Sequence, residues 1–539
     1  MNKDMTQAPD LEHEHDTGPF PLLKPVYQNH MPPCNHACPT GENIQEWLSF
    51  AQNGEFNRAW MSLIQNNPFP AISGRICYHK CEDACNRMEV DRAVNIHAVE
   101  RFLGDLAIEN NWSFVKPLHR SGKRILVVGA GPCGLSAAYH LAQKCHEVEV
   151  YDAEAELGGM MRYGIPAYRL PRYILEAEIK RLESLGIQFH LQQKIENINN
   201  LKREGRFDAV LLATGAAISR RIDIPGGDAK KIHDALQFLH DADAQKNIKI
   251  GRRVAVYGGG NTAMDVARTA QRMGAEETVV IYRNDQQHMS AHDSELQDAL
   301  NEDIHVHWLR RIREMQGDEI VVDVMQVNEQ GELEASGKTE HIAADALILA
   351  IGQNVDGKLV EQNPGIKLDY DGSILVDRQL MTGQEGIFAG GDMIHGERTA
   401  THAFGHGKHA ARCIDAWLRR EKYRPREKTT LAHYHTLNLA YRVVAPASSQ
   451  AHIDKFARQN GFTEVVKGLT REQALYESKR CFSCGNCFEC DGCMAACPQY
   501  AITKNGQGRG YEVDYDKCVG CSICVNQCPA NAMEMIDHE

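Results

Sequence analysis

The sequence predicts a multidomain α/β fold, and three observations carry that reading. Two apolar strands each run into a glycine fingerprint and a helix, at Gly129-x-Gly131-x-x-Gly134 and at Gly258-x-Gly260-x-x-Ala263. Each helix is followed by a second strand, which completes a βαβ unit of the Rossmann-like, dinucleotide-binding kind. Two C-x2-C-x2-C-x3-C-P runs close the chain: Cys487, Cys490, Cys493, Cys497 before Pro498, and Cys518, Cys521, Cys524, Cys528 before Pro529. This is the two-cluster ferredoxin spacing, in which the fourth Cys of each run ligates the other 4Fe-4S cluster. Five more cysteines (Cys34, Cys38, Cys77, Cys81, Cys85) gather in a helical N-terminal stretch. The expected architecture is two nested Rossmann-like domains, an N-terminal α-helical iron–sulfur domain and a C-terminal ferredoxin-like domain.

The totals bound the function. The chain has 539 residues, enough for three or four domains, and a net charge of −13, which argues against nucleic acid. No apolar run is long enough to span a membrane. The first 20 residues are polar and His-rich, without the apolar core of a signal peptide, so a cytoplasmic protein is expected. Eighteen cysteines without an export signal point to thiolate–iron bonds rather than disulfides. Zinc knuckles are the bland alternative for the C-terminal runs, and the Pro after each fourth Cys weighs against them. Ala501 and Ala532 share the offset of the cysteines, so the tail is an internal repeat. Cys133, Cys145 and Cys413 stand alone in predicted helices and read as small core residues.

The expected divisions follow the chain: a disordered arm over 1–30, the helical domain over 31–118, and an FAD domain split into 119–235 and 373–420. A nicotinamide domain is expected over 236–372, a connector over 421–475 and the ferredoxin-like domain over 476–539.

In the first βαβ unit, Gly129 permits the tight turn, Gly131 lets a pyrophosphate approach the helix N-terminus, and Gly134 allows close helix–strand packing. Asp152 ends the second strand, placed to bind a ribose hydroxyl. Gly158-Gly159 suits a further close phosphate approach. In the second unit, Gly258, Gly260, Asn261, Thr262 and Ala263 form the corresponding turn. Ala213-Thr214-Gly215 and Ala350-Ile351-Gly352 each follow a predicted strand. Gly386-Ile387-Phe388-Ala389-Gly390-Gly391-Asp392 looks like a late flavin motif, with Asp392 on the ribityl chain and the helix after it facing the flavin ring. FAD therefore belongs to the first site and a nicotinamide to the second. The second strand ends in Tyr282-Arg283-Asn284, with one arginine where NADPH users tend to carry two, and the balance favours NADH over NADPH.

Residues 34–415 resemble the small subunit of bacterial glutamate synthase, and 34–100 also resemble the domain that opens dihydropyrimidine dehydrogenase. The motifs carrying the likeness are Cys34-Asn35-His36-Ala37-Cys38-Pro39, Asn67-Pro68-Phe69-Pro70, Gly74-Arg75-Ile76-Cys77, Cys81-Glu82, Cys85 and Asn95-Ile96-His97-Ala98-Val99-Glu100, then Tyr163-Gly164-Ile165-Pro166. The family carries an additional Arg-Cys-x-x-Cys upstream, absent here. Arg480-Cys481-Phe482-Ser483-Cys484-Gly485 looks like that element displaced to the other end of the chain. The resemblance implies one cluster on Cys34, Cys85, Cys481 and Cys484, and another on Cys38, Cys77, Cys81 and the Glu100 side chain. That makes four 4Fe-4S clusters. The alternative is three, with Cys481 and Cys484 unligated and Glu100 a surface charge.

The resulting function is FAD-dependent electron transfer between NAD(P)H and iron–sulfur centres. Hydride transfer needs no general base, so no catalytic side chain is assigned. His288, Asp293 and Glu295 read as an ordinary helix start, and His402 and His406 as structural or ring-contacting groups. The expected partner is a low-potential oxidoreductase such as a 2-oxoacid:acceptor oxidoreductase, with this chain as a subunit. A glutamate synthase small subunit and a stand-alone NAD(P)H:ferredoxin reductase are alternatives, and a non-catalytic redox sensor is a third.

Overall fold

The Ile-Leu-Val-Val run ending the strand Arg124–Val128 is apolar on both faces, which suits the centre of a sheet covered on both sides. It lies between Ala209–Leu212 and Glu147–Tyr151, with Ile387–Ala389 and Gln188–His190 at the two edges, all parallel. The computed structural model describes residues 22–538, except 229, 245, 247, 426–428, 441 and 507.

A second five-stranded parallel sheet has the order His305–His307, Glu277–Ile281, Arg253–Tyr257, Ala346–Leu349, Ile232–Asp234. It lies wholly between the fourth and fifth strands, in sequence, of the first sheet, so the two units are nested. A three-stranded antiparallel sheet (Arg310–Gln316, Glu319–Val327, Leu333–Ala343) covers one face of it. The strands expected before the two fingerprints, up to Asp152, and before Ala213-Thr214-Gly215 and Ala350-Ile351-Gly352 are all present. Cys133 and Cys413 are buried in helices, but Cys145 is not helical: it sits in a left-handed turn, φ 70°, that ends the first fingerprint helix (Pro132–Gln143).

Four expected boundaries need correction. Residues 23–27 are not a disordered arm: Leu23–Tyr27 is a strand, antiparallel to Met533–Asp537, in register from Leu23↔Asp537 to Tyr27↔Met533. Gln28 and His30 continue the contact, donating backbone N–H to Ala532 O and Gly485 O, and residues 1–21 of the arm lie outside the described residues. Ile232–Asp234 belongs to the second sheet, so the first unit yields before 235. Residues from Val355 to Ile374 pack on the first core through Val355, Leu359, Ile366 and Ile374, so the second unit ends well before 372. The helix Arg471–Arg480 spans the expected connector–ferredoxin boundary at 476. It buries Ala474, Glu477, Ser478 and Arg480, and packs on Ile44–Gln52 and Ile96–Glu109 of the N-terminal domain. In each case tertiary burial, invisible in local pattern, decides membership.

The connector ties the units together. Glu464 meets Arg75 and Arg101 of the helical domain, Val465 N–H donates to Tyr168 O, and Arg272 donates to Gly461 O.

Candidate cofactor-binding sites

Gly129 adopts φ 108°, and a Cβ there would stand 2.4 Å from Ala213 O. A Cβ on Gly134 would meet Gly129 O at 1.9 Å, so this glycine lets the helix seat on the strand. Gly131 differs: an added Cβ would meet nothing closer than Gly159 Cα at 3.9 Å. Open space here, at a helix N-terminus, is the cradle a pyrophosphate requires. Gly158 and Gly159 (φ 122° and 52°) bring their loop against it, held by Gly158 N–H to Ala130 O at 3.0 Å. Asp152 accepts hydrogen bonds from Ala130 N–H (2.6 Å) and Glu154 N–H (2.8 Å), which fix its carboxylate at the strand tip.

The second fingerprint repeats the logic. Gly258 (φ 149°) lies against Ala350 O, Gly259 against the Tyr282 ring, and Gly260 is open, with Ser290 Oγ nearest at 3.7 Å. Asn261 Oδ1 accepts from His292 N–H at 2.8 Å, and Ala263 is buried. One cavity of about 2090 Å³ joins the two. Gly129, Gly131, Asp152, Gly159, Gly391 and Asp392 line one side; Gly258, Gly260, Asn261, Thr262, Arg283 and Gly352 line the other. Gly134, Gly158 and Ala263 do not line it and serve packing. Burial pushes the Asp392 carboxyl up to about 6, against the pull of Arg398. Of 277–290, only Tyr282, Arg283 and Ser290 reach the cavity, so the strand tip presents a cation and no carboxylate.

The glycines predict a clean division. Gly131→Ala is expected to leave thermal unfolding of the flavin-free chain unchanged and to weaken FAD binding about tenfold or more, equivalent to about 1.4 kcal/mol. Gly134→Ala is expected to destabilise the chain itself by about 1–3 kcal/mol or more through overpacking. Calorimetry with and without flavin distinguishes them.

His288 is exposed and pairs with Asp285 at 2.6 Å, away from the cavity lining. Glu295 is buried beside Arg169 and Arg268, and burial pushes it up to about 7. Arg169 also grips Asp265 at 2.8 Å. These pairs fasten the two nucleotide units to each other. His402 bonds Thr399 Oγ1 at 2.8 Å, and neither His402 nor His406 lines the cavity.

The remaining cysteines fall into four groups. Cys34 has its thiol raised by burial and then by Cys85, Cys481 and Cys484, so both ends of the chain meet there. Arg480 anchors the incoming segment on Asp91 (3.0 Å) and the carbonyls of Arg92 and Ala93, held in place by Glu477 of its own helix (2.9 Å). Cys77 is raised by burial, Glu100 and Cys38; Cys81 by burial, Glu82, Cys38 and Cys77. Glu100 is buried, not a surface charge, and accepts from Asn67 (2.9 Å) and Ser73 (2.6 Å). Cys487 is raised by burial and then by Cys493, Cys528 and Cys490. Cys497, Cys518, Cys521 and Cys524 line one small cavity. The fourth cysteines are thus exchanged between the runs.

Buried thiolates crowded in this way repel each other unless a cation cluster neutralises them, which the donor set fits. Among the described residues, no three cysteine sulfurs lie within 4.8 Å of one another. The loop carrying Cys77 is also a wall of the nucleotide cavity: Ile76 and Tyr78 line it, and Cys77 Sγ is 3.9 Å from Thr401 Oγ1 at the start of the helix Ala400–Leu418. Sequence reasoning missed Tyr78, Thr401 and Asp91, because their partners lie far along the chain.

Comparison with known proteins matches three segments. Residues 123–407 match the pyridine nucleotide-disulphide oxidoreductase family, 26–112 the dihydropyrimidine dehydrogenase domain II (4Fe-4S cluster) and 486–532 the 4Fe-4S dicluster domain. The chain is 33% identical over 427 residues to the NADP(+)-dependent formate dehydrogenase subunit beta of Moorella thermoacetica, covering 72% of this chain and 60% of that one. It is 30% identical over 510 residues to the NADPH-Fe(3+) oxidoreductase subunit beta of Geobacter sulfurreducens (84% and 75% covered). It is 33% identical over 428 residues to the glutamate synthase [NADPH] small chain of Azospirillum brasilense (73% and 88% covered). The chain therefore spans less than two thirds of the formate dehydrogenase subunit's length.

Proposed function

Because the chain belongs to the pyridine nucleotide-disulphide oxidoreductase family and is an FAD- and iron–sulfur-dependent NAD(P)H oxidoreductase, we propose that it is the nicotinamide-reactive subunit of a larger electron-transfer complex. The observation that carries this is the shared wall: the loop bearing Cys77 lines the nucleotide cavity through Ile76 and Tyr78, and Cys77 in turn neighbours Cys81. Cys81 neighbours Cys34, and Cys484 is three residues from Cys487, so the four groups form a series ending at exposed Cys521.

In this reading FAD is held by Gly131, Gly159, Asp152 and Asp392, and supplies hydride acceptance coupled to one-electron release. Gly260 and Asn261 seat the nicotinamide cofactor. Arg283, with no carboxylate at its strand tip, suits a 2′-phosphate better than a free hydroxyl, and the three relatives above carry NADP or NADPH in their names. NADPH is therefore the proposed donor, against the preference for NADH that Asn284 suggests. Cys34, Cys85, Cys481 and Cys484 hold one 4Fe-4S cluster; Cys38, Cys77, Cys81 and Glu100 hold a second; the two ferredoxin-type groups hold the third and fourth.

The proposed partner is a low-potential oxidoreductase, with a 2-oxoacid:acceptor oxidoreductase the first candidate. Anaerobic purification from the native host tests this. A stoichiometric oxidoreductase co-eluting with the chain is expected, along with flavin bleaching by NADPH at lower concentration than by NADH. A chain that elutes alone and reduces free ferredoxin would sink the subunit reading.

A further inference from the structure

The C-terminal repeat makes its two cluster groups nearly equivalent. Ala501 N–H donates to Cys497 Sγ at 3.3 Å, and Ala532 N–H donates to Cys528 Sγ at the same distance. Cys493 and Cys524, the third cysteines of each run, are both 7% exposed. Each is approached by the backbone of the residue after it, Met494 or Val525.

One contact breaks the equivalence. Tyr27 Oη lies 3.2 Å from Cys493 Sγ, across 466 residues of chain. Among the described residues no side chain makes the corresponding contact with Cys524. Tyr27 is placed by the strand Leu23–Tyr27, in register with Met533, and its ring stacks on Tyr511 at 6.1 Å. Tyr515 Oη donates to Pro25 O at 3.1 Å and fixes the same strand further along. A cysteine that ligates iron is a thiolate and has no hydrogen to give, so the tyrosine hydroxyl must be the donor.

We infer that Tyr27 is a positioning residue that sets the reduction potential of the cluster on Cys487, Cys490, Cys493 and Cys528 above that of its repeat-related neighbour. The inference rests on the cluster reading above. A hydrogen bond to a ligand sulfur stabilises the more negative, reduced cluster more than the oxidised one, and so raises the potential. Electrons then rest on the inner ferredoxin-type cluster, and the outer one passes them on only when an acceptor takes them.

The test is EPR-monitored potentiometry of the anaerobically purified full chain, with iron content measured on each sample. Tyr27→Phe keeps the ring and removes the donor. It is expected to lower one cluster potential by about tenfold in the reduction equilibrium, or about 59 mV for one electron. Replacing Tyr27 with 2,3-difluorotyrosine, a stronger donor of similar size, is expected to raise the same potential. If both variants hold wild-type iron and no potential moves, the inference is overturned. If the Phe variant loses iron, the fluorinated variant alone decides, by the same criterion. Iron well below about eight atoms per native chain would overturn the two-cluster reading itself, and the inference with it.

Discussion

Replacing Cys481 and Cys484 together with serine is expected to remove about four iron atoms per chain and to cut the N-terminal groups off from the ferredoxin-like tail. These cysteines meet Cys34 and Cys85, and their thiols are pushed up by burial and by Cys85, with Cys481 also raising Cys484. The nucleotide cavity lies on the far side of Cys77, so flavin bleaching by NAD(P)H should survive while reduction of the C-terminal clusters falls to background. Stopped-flow absorbance with EPR of freeze-quenched samples separates the two. Unchanged iron content would show that the displaced pair is not a ligand pair, leaving three clusters.

The second large effect concerns stability. Glu302 is fully buried and receives four hydrogen bonds: from Arg268 at 3.1 and 2.8 Å, and from Arg272 at 2.6 and 2.9 Å. Both guanidinium groups also lie over the Tyr168 ring, at 4.9 and 3.8 Å. Glu302→Gln keeps the shape and removes the charge, taking from buried Arg272 the carboxylate it grips and leaving Arg268 to Asp298 and Glu295. A loss of about 3–5 kcal/mol is expected in denaturant unfolding of the nicotinamide-binding unit. Burial alone would raise the Glu302 carboxyl, but the arginine hydrogen bonds outweigh it and hold it below its ordinary value. Its stabilisation is therefore complete above the unfolded value of about 4.3 and is lost as pH falls through the lower folded value. The variant should lose that part of the acid sensitivity.

What could be read from the sequence was what depends on local sterics or on fixed spacing. Gly129, Gly131 and Gly134 stand at the fixed spacing of a strand–helix turn, although the atoms that crowd Gly129 belong to Ala213, and the repeated cysteine runs show their ligands by spacing alone. The contribution of Tyr27 was hidden because five residues of strand have no meaning until Met533–Asp537 lies beside them. The stretch from Val355 to Ile374 has no clear apolar period, and only contact with the first core assigns it. For Glu100 the family resemblance implied a ligand while the residue pattern alone allowed a surface charge, and the hydrogen bonds from Asn67 and Ser73 show that it is buried.

The packing of Arg471–Arg480 on the N-terminal helices has a consequence in time. Leu469 and Ala474 are part of the core that also holds Trp47, Leu48 and Val99. A ribosome adding about 5–20 residues per second needs roughly 20–80 s to travel from Cys85 to Cys481. Throughout that interval the helical domain waits with one wall of its core missing and its thiols uncovered. A later-made helix covers earlier-made ones, so a chain cut short before residue 471 leaves apolar surface bare on Ile44–Gln52 and Ile96–Glu109. Protein quality control would thus detect a missing later segment by the surface it leaves bare on an earlier one.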